Sequence, residues 1–372
     1  MRRARLAAAV ALTACGAGNY ALATAKIDTL PGGIVRVRND GPTAWSDTNG
    51  WKIVHVAAVR IAAGSPGELT LPFTPAIARS GDLLVLDRRP ASIKVFAPDG
   101  SWLRTIGREG AGPGEFRNRA LIAATAGKVF VLDRSTSRVI VFDSVGALVA
   151  ERPVTDGVVL DGIAAAGAES IILDGRVGSR QSLVWLNDSL VEQHRATLPA
   201  ALPEAMWSPC ALVIPFQPSV LGIGRSDHTA IWGRTDSLKL LVTRTGSDTT
   251  RIIEAVFTAP EVTDADRTRL FSGPGSISAE CPVARAADLP ARKPLWRDLH
   301  HDGQENVWVE LTPDVGKRQY AVFSPVGEFL GRVPDPFDPD QNTFWLGDVA
   351  LEFETAGDGS VTIHRWEVRR SR

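Results

Sequence analysis

The residues with the most chemistry to offer are three histidines. His228 follows Ser226-Asp227, and His300-His301 precede Asp302-Gly303. Imidazole is a common ligand for divalent metals and can act as a general base near neutral pH. Joined by Asp227, Asp302 and Glu310, these side chains would make a metal site, and with it a metal-assisted hydrolase or lyase. None of the six histidines (His55, His194, His228, His300, His301 and His364) has a zinc spacing such as H-E-x-x-H. His300-His301-Asp302-Gly303 also reads as a plain polar turn.

Other chemical signals are weaker. Gly110–Gly114 looks like a phosphate cradle, but it lacks the Gly-Lys-Ser/Thr ending and a following helix, so it reads as a tight connection with Phe116 as its plug. Asp338, Asp340 and Asn342 match the opening of a calcium loop, which then fails at Thr343 and Val349. There is no G-x-S-x-G elbow. Cys210 and Cys281 are either one disulfide or two buried thiols. The ten tryptophans mostly sit at strand positions, where packing explains them better than a sugar platform. No cofactor is expected, a divalent metal being the one that the hydrolase reading would need.

The elements that must position these residues repeat. Leu83–Asp87 is an unbroken apolar run between turn residues, Ser92–Phe96 is a second strand, Pro98-Asp99-Gly100 is a turn and Trp102–Ile106 is a third strand. Lys128–Asp133 and Arg138–Asp143 copy this unit. Asp133, Phe142 and Gly146 each follow Asp87, Phe96 and Gly100 by 46 residues. Such a period, with several strands per unit, means a β-propeller. Asp174 follows Asp133 after 41 residues and suggests a third copy. Asp87, Asp133 and Asp174 then end equivalent strands, each carboxylate accepting N–H bonds from the next turn. The fold class is all-β, a six-bladed propeller whose ring is closed by the N-terminal strand Trp51–Ile61. The first apolar strand of each blade is expected nearest the axis, which would bring His228, His300 and His301 to the channel mouth.

At these residues the chain resembles the NHL-repeat-type six-bladed propellers, in particular a bacterial secreted or lipoprotein group. The resemblance rests on the two VLD…VF copies and on Gly107–Phe116, and it covers about residues 75–145. It implies a fold and no activity, since such propellers include binding proteins and enzymes.

Met1–Arg5 is basic and Leu6–Ala14 is a short apolar run, so residues 1–25 read as an export signal. Leu12–Cys15 fits a lipobox, making Cys15 a lipidation site and the chain a membrane-anchored lipoprotein of the cell envelope. Cleavage after Ala25 would instead release it to the periplasm or medium. Removing Arg2, Arg3 and Arg5 takes the formal charge from −1 to about −4, which is no nucleic-acid footprint. Residues 26–372 would form one propeller, monomeric, with an insertion at about 259–293 that opens on a short helix capped by Thr263. The function expected is binding of a protein or small ligand. A hydrolase or lyase is the alternative, and a structural envelope module is a third class.

Overall fold

A computed structural model of the chain describes residues 25–40, 50–154, 158–177, 180–197, 216, 218–244, 248–272, 289–313, 318–338 and 341–370. Cys15, Cys210 and Cys281 lie outside them.

Six four-stranded antiparallel blades account for most of this chain. Blade 1 is Pro72–Ile77, Leu83–Arg88, Ala91–Phe96 and Trp102–Ile106. Blade 2 is Ala120–Ala124, Lys128–Asp133, Arg138–Asp143 and Leu148–Pro153. Blade 3 is Val158–Ala165, Ser170–Val177, Arg180–Asn187 and Glu192–Thr197. Blade 4 is Val220–Gly224, Ala230–Arg234, Leu238–Thr243 and Thr249–Ala255. Blade 5 is Trp296–His301, Val307–Leu311, Gln319–Phe323 and Phe329–Pro334. Blade 6 is Thr343–Leu346, Val349–Thr355, Val361–Arg370 and, from the other end of the chain, Trp51–Ile61. This last pair runs in register from Ile61 opposite Val361 to Trp51 opposite Arg370 and closes the ring, as the sequence indicates.

One expectation is corrected. The unbroken apolar runs, such as Leu83–Asp87, are the second strand of each blade and not the innermost. In blades 1 to 4 the innermost strands are rich in small residues or proline, among them Ala120-Leu-Ile-Ala-Ala124 and Val220-Leu-Gly-Ile-Gly224. The geometry requires this. Second strands are covered on both faces by neighbouring blades and favour continuous apolar side chains. Inner strands face the channel instead. At Gly222 the paired second strand sets the limit, because a Cβ there would lie 2.1 Å from Cε3 of the buried Trp232. Gly222→Ala is expected to cost about 2 kcal/mol through overpacking, read as a lower midpoint in urea unfolding.

The core is divided among the blade interfaces. One cluster joins blades 1 and 2 through Leu84, Leu86, Ile93, Phe116, Val131 and Phe142. Equivalent clusters lie at the other five seams. The glycine-rich loop serves the first of these. Arg108–Glu109 pairs with Glu115–Phe116, and Phe116 is fully buried. The Glu115 carboxylate accepts the Gly112 N–H at 2.8 Å, so a loop donor that a phosphate would need is already used.

Val35–Asn39 forms a hairpin with Lys26–Thr29 and adds in parallel to the outer strand of blade 4. Asn39 fastens it to blade 5, donating to Gly327 O at 3.0 Å and accepting from Phe329 N at 2.8 Å. Between blades 4 and 5, Asp264–Ser272 is helical. Thr263 Oγ1 accepts from Asp266 N while the Asp266 carboxylate accepts from Thr263 N, a reciprocal cap. Burial alone would raise the Asp266 carboxyl, but Lys293 and the Thr263 donors outweigh it and hold it at about 2.

Candidate functional site

The inner strands enclose a central channel of about 880 Å³, within the range of small-molecule sites. Its wall is mostly apolar: Ala76, Ile122, Ala123, Ile163, Ala164, Ile223 and Leu346 all reach it. Polar groups enter at the hairpin ends, with His300, His301 and Asp348, at Arg365, and at one register position that recurs in four blades. In each blade the inner hairpin ends on a last ladder pair, at Ile77, Ala165, His301 and Leu346 in blades 1, 3, 5 and 6. Three residues before it stand Thr74, Gly162, Asp298 and Thr343. Gly162 has no side chain, and Asp174 on the adjoining strand, paired with it, fills that place. A belt of two aspartates and two threonines therefore lines the channel. Thr74 Oγ1 and Thr343 Oγ1 are themselves buried and have no partner among the described residues.

Asp174 reaches the channel through a one-residue offset. Asp87 and Asp133 lie four residues beyond the last ladder pair, whereas Asp174 lies three beyond it, at the position that Leu86 and Leu132 occupy. One step along a strand turns a side chain to the opposite face. Asp87 is buried and accepts from Thr70 N, Leu71 N and Arg89 N, and Asp133 accepts from Ser135 N and Thr136 Oγ1, so both serve turns. Asp174 instead accepts from Gln181 Nε2 at 3.0 and 3.2 Å and faces the channel. The equivalence expected of the three aspartates holds for two of them.

Loss of solvent pushes the Asp174 carboxyl up to about 6, against the lowering effect of Gln181. Asp298 is open to the channel yet ringed by protein. Desolvation raises it to about 6 as well, and the bond from Leu299 N offsets this only in part. Both groups change charge close to physiological pH.

The three histidines are dispersed. His300 and His301 end the inner strand of blade 5 and line the channel. His300 stacks on Trp345 with ring centroids 4.1 Å apart and lies over Trp308 at 5.6 Å. Burial drives its imidazole well below the ordinary range, so it is neutral, and its Nε2 has no partner among the described residues. His228 lies in the first hairpin turn of blade 4, with φ +64°. It meets His194 at 5.7 Å and Trp185 at 6.1 Å, and with Gln193, Asp227 and Arg244 lines a separate surface cavity of about 440 Å³. Arg225 and Ser226 of the same turn donate to the Glu305 carboxylate of blade 5 at 2.6 and 2.9 Å. Among the described residues no three His, Cys, Asp or Glu side chains lie close enough to hold a metal ion.

Thr74, Asp298 and Thr343 are not legible in the sequence, since the strands that carry them have no periodic signature. For Asp174 a signal exists: its spacing of 41 falls short of the 46 between the first two copies.

Comparison with known proteins agrees with this architecture. The family model DUF5128, described as a 6-bladed beta-propeller, matches residues 77–147. A solved structure of a Bacteroides fragilis protein described as exported has a TM-score of 0.50 at 11% identity, covering 88% of this chain and 98% of that one. A DUF4221-family protein of Bacteroides vulgatus gives 0.50 at 10% identity, covering 87% and 100%. Virginiamycin B lyase of Staphylococcus aureus gives 0.44 at 10% identity over 85% and 99%, and this likeness carries no functional argument. No curated protein matches. The chain is a six-bladed β-propeller, and at such identities the likeness extends to the fold alone.

Proposed function

We propose that the chain is a binding propeller, acting outside the cytoplasm, whose central channel takes a small organic cation with an apolar or aromatic body. One observation carries this reading: the belt of Thr74, Asp174, Asp298 and Thr343 in a mostly apolar channel, whose other polar lining is His300, His301, Asp348 and Arg365. The two carboxylates accept hydrogen bonds from an ammonium group or a similar donor. The apolar wall and Trp345 accept the rest of the molecule, and a ring cation gains further from the Trp345 face. Desolvation that raises both carboxyls also strengthens their attraction for a bound cation. The basic and apolar start of the chain, with Cys15 or the site after Ala25, supports export.

The test is a thermal-shift series with simple amines, from butylamine to benzylamine and putrescine, beside the matching carboxylic acids. Amines should raise the Tm of the wild-type chain at pH 7.5, and the acids should not. An Asp174→Asn/Asp298→Asn variant should lose the response. Equal shifts with amines and acids, or an undiminished response in the variant, would sink the reading.

A further inference from the structure

The seam that closes the ring carries a second cluster, outside the channel. His55 lies on Trp51–Ile61, the outermost strand of blade 6, and His364 on its neighbour Val361–Arg370. His364 Nδ1 faces His55 Nε2 at 3.3 Å. On its other side, His364 Nε2 lies 3.1 Å from Glu354 Oε2. Trp366 meets the His55 ring edge-on at 4.8 Å.

The chemistry of this arrangement is constrained. A carboxylate only accepts, so His364 Nε2 carries the hydrogen and Nδ1 presents its lone pair to His55. His55 Nε2 then either donates across a long N–H···N contact, or adopts the other tautomer and presents a lone pair as well. In that tautomer a cation set to one side of the line between the two nitrogens can accept both lone pairs. Two nitrogens bound to zinc at about 2.0–2.1 Å with a tetrahedral angle stand about 3.3–3.4 Å apart, the spacing seen here. A carboxylate that accepts from the far nitrogen of a ligating imidazole is the usual outer partner of a zinc histidine.

We propose that His55 Nε2 and His364 Nδ1 form a bidentate site for zinc or a similar borderline divalent metal, oriented by Glu354 and completed by water. The ion takes the place of the hydrogen that His55 otherwise directs at His364, and this hydrogen moves to His55 Nδ1. Because the ligands come from the two ends of the chain, the metal pins the strand that closes the ring. Nitrogen ligands select zinc, nickel, copper or cobalt over magnesium and calcium.

Titration of the full chain with zinc chloride, followed by calorimetry and by Tm, tests this. The expected result is one added zinc per chain with micromolar affinity and a higher Tm, and no response to magnesium. His55→Asn and His364→Asn should each weaken binding at least about 100-fold. Glu354→Gln should weaken it about 10-fold through loss of orientation. Cobalt substitution should give a visible absorption band that is lost in both histidine variants, a readout independent of stability. Zinc uptake that is unchanged in a His55→Asn/His364→Asn double variant would place the metal elsewhere and overturn the proposal, as would no binding at millimolar zinc.

Discussion

Asp174→Asn is expected to make the protein more stable at neutral pH and to weaken cation binding at least tenfold. Folding raises this carboxyl from the 3.8 of an unperturbed aspartate to about 6, chiefly by desolvation. The folded state therefore holds a proton that the unfolded state releases between these two values. Below 3.8 both states are protonated and the residue costs nothing through ionisation. As pH rises towards 6, stability is lost, and above 6 the full penalty is present. The difference corresponds to about 3 kcal/mol, which water in the channel reduces to about 1–2 kcal/mol. Asparagine keeps the shape and one acceptor for Gln181 and never ionises. Unfolding midpoints of the two proteins should lie closest at pH 3 and diverge in favour of the variant at pH 7. Affinity for an organic cation should move oppositely, rising in the wild type from pH 5 to pH 7.5 as Asp174 and Asp298 ionise, and staying low and nearly flat in the Asp174→Asn/Asp298→Asn double variant. A residue whose removal stabilises the fold and lowers binding is held for binding. Midpoints that coincide at both pH values would refute this account of Asp174.

How much of this was legible depended on which strand carries the information. Second and third strands, such as Lys128–Asp133 and Arg138–Asp143, lie between blades, and their apolar runs declare the period directly. Blade number and ring closure by Trp51–Ile61 followed from them. Inner strands face the channel instead; those of blades 1 to 4 carry Gly, Ala or Pro, those of blades 5 and 6 carry none, and no alternation is left to detect. The channel was misassigned for that reason: the apolar runs were placed next to the axis, one strand too far in. The belt depends on where bulges reset the register before Thr74, Gly162 and Asp298, and bulges carry no fixed sequence signature. His55 and His364 are 309 residues apart, and only closure of the ring makes them neighbours.

Asp302→Ala is expected to be among the most damaging single substitutions in the protein, at about 3–5 kcal/mol. The side chain is only 1% exposed. Its Oδ1 accepts from Gln304 N and Asn306 N, each at 2.9 Å, and its Oδ2 accepts from Asn306 Nδ2 at 2.8 Å and Trp308 Nε1 at 2.9 Å. Alanine strands all four donors, two of them on side chains that no water readily reaches. The loss propagates to the channel, because Trp308 stacks beneath His300 and His300 lies against Trp345. Asp302→Asn keeps one acceptor and turns an amide towards the remaining donors, so it should recover about half of the deficit. The same turn in blade 4 provides the control. Arg225 occupies the corresponding place there and is bound to Glu305, a partner still 32% exposed. Arg225→Ala should therefore cost about 1 kcal/mol. Urea unfolding followed by tryptophan fluorescence separates the cases. The order expected is Ala far below Asn at position 302, with Arg225→Ala nearest the wild type. Equal effects of Asp302→Ala and Arg225→Ala would mean that the Asp302 network does not anchor the channel wall of blade 5.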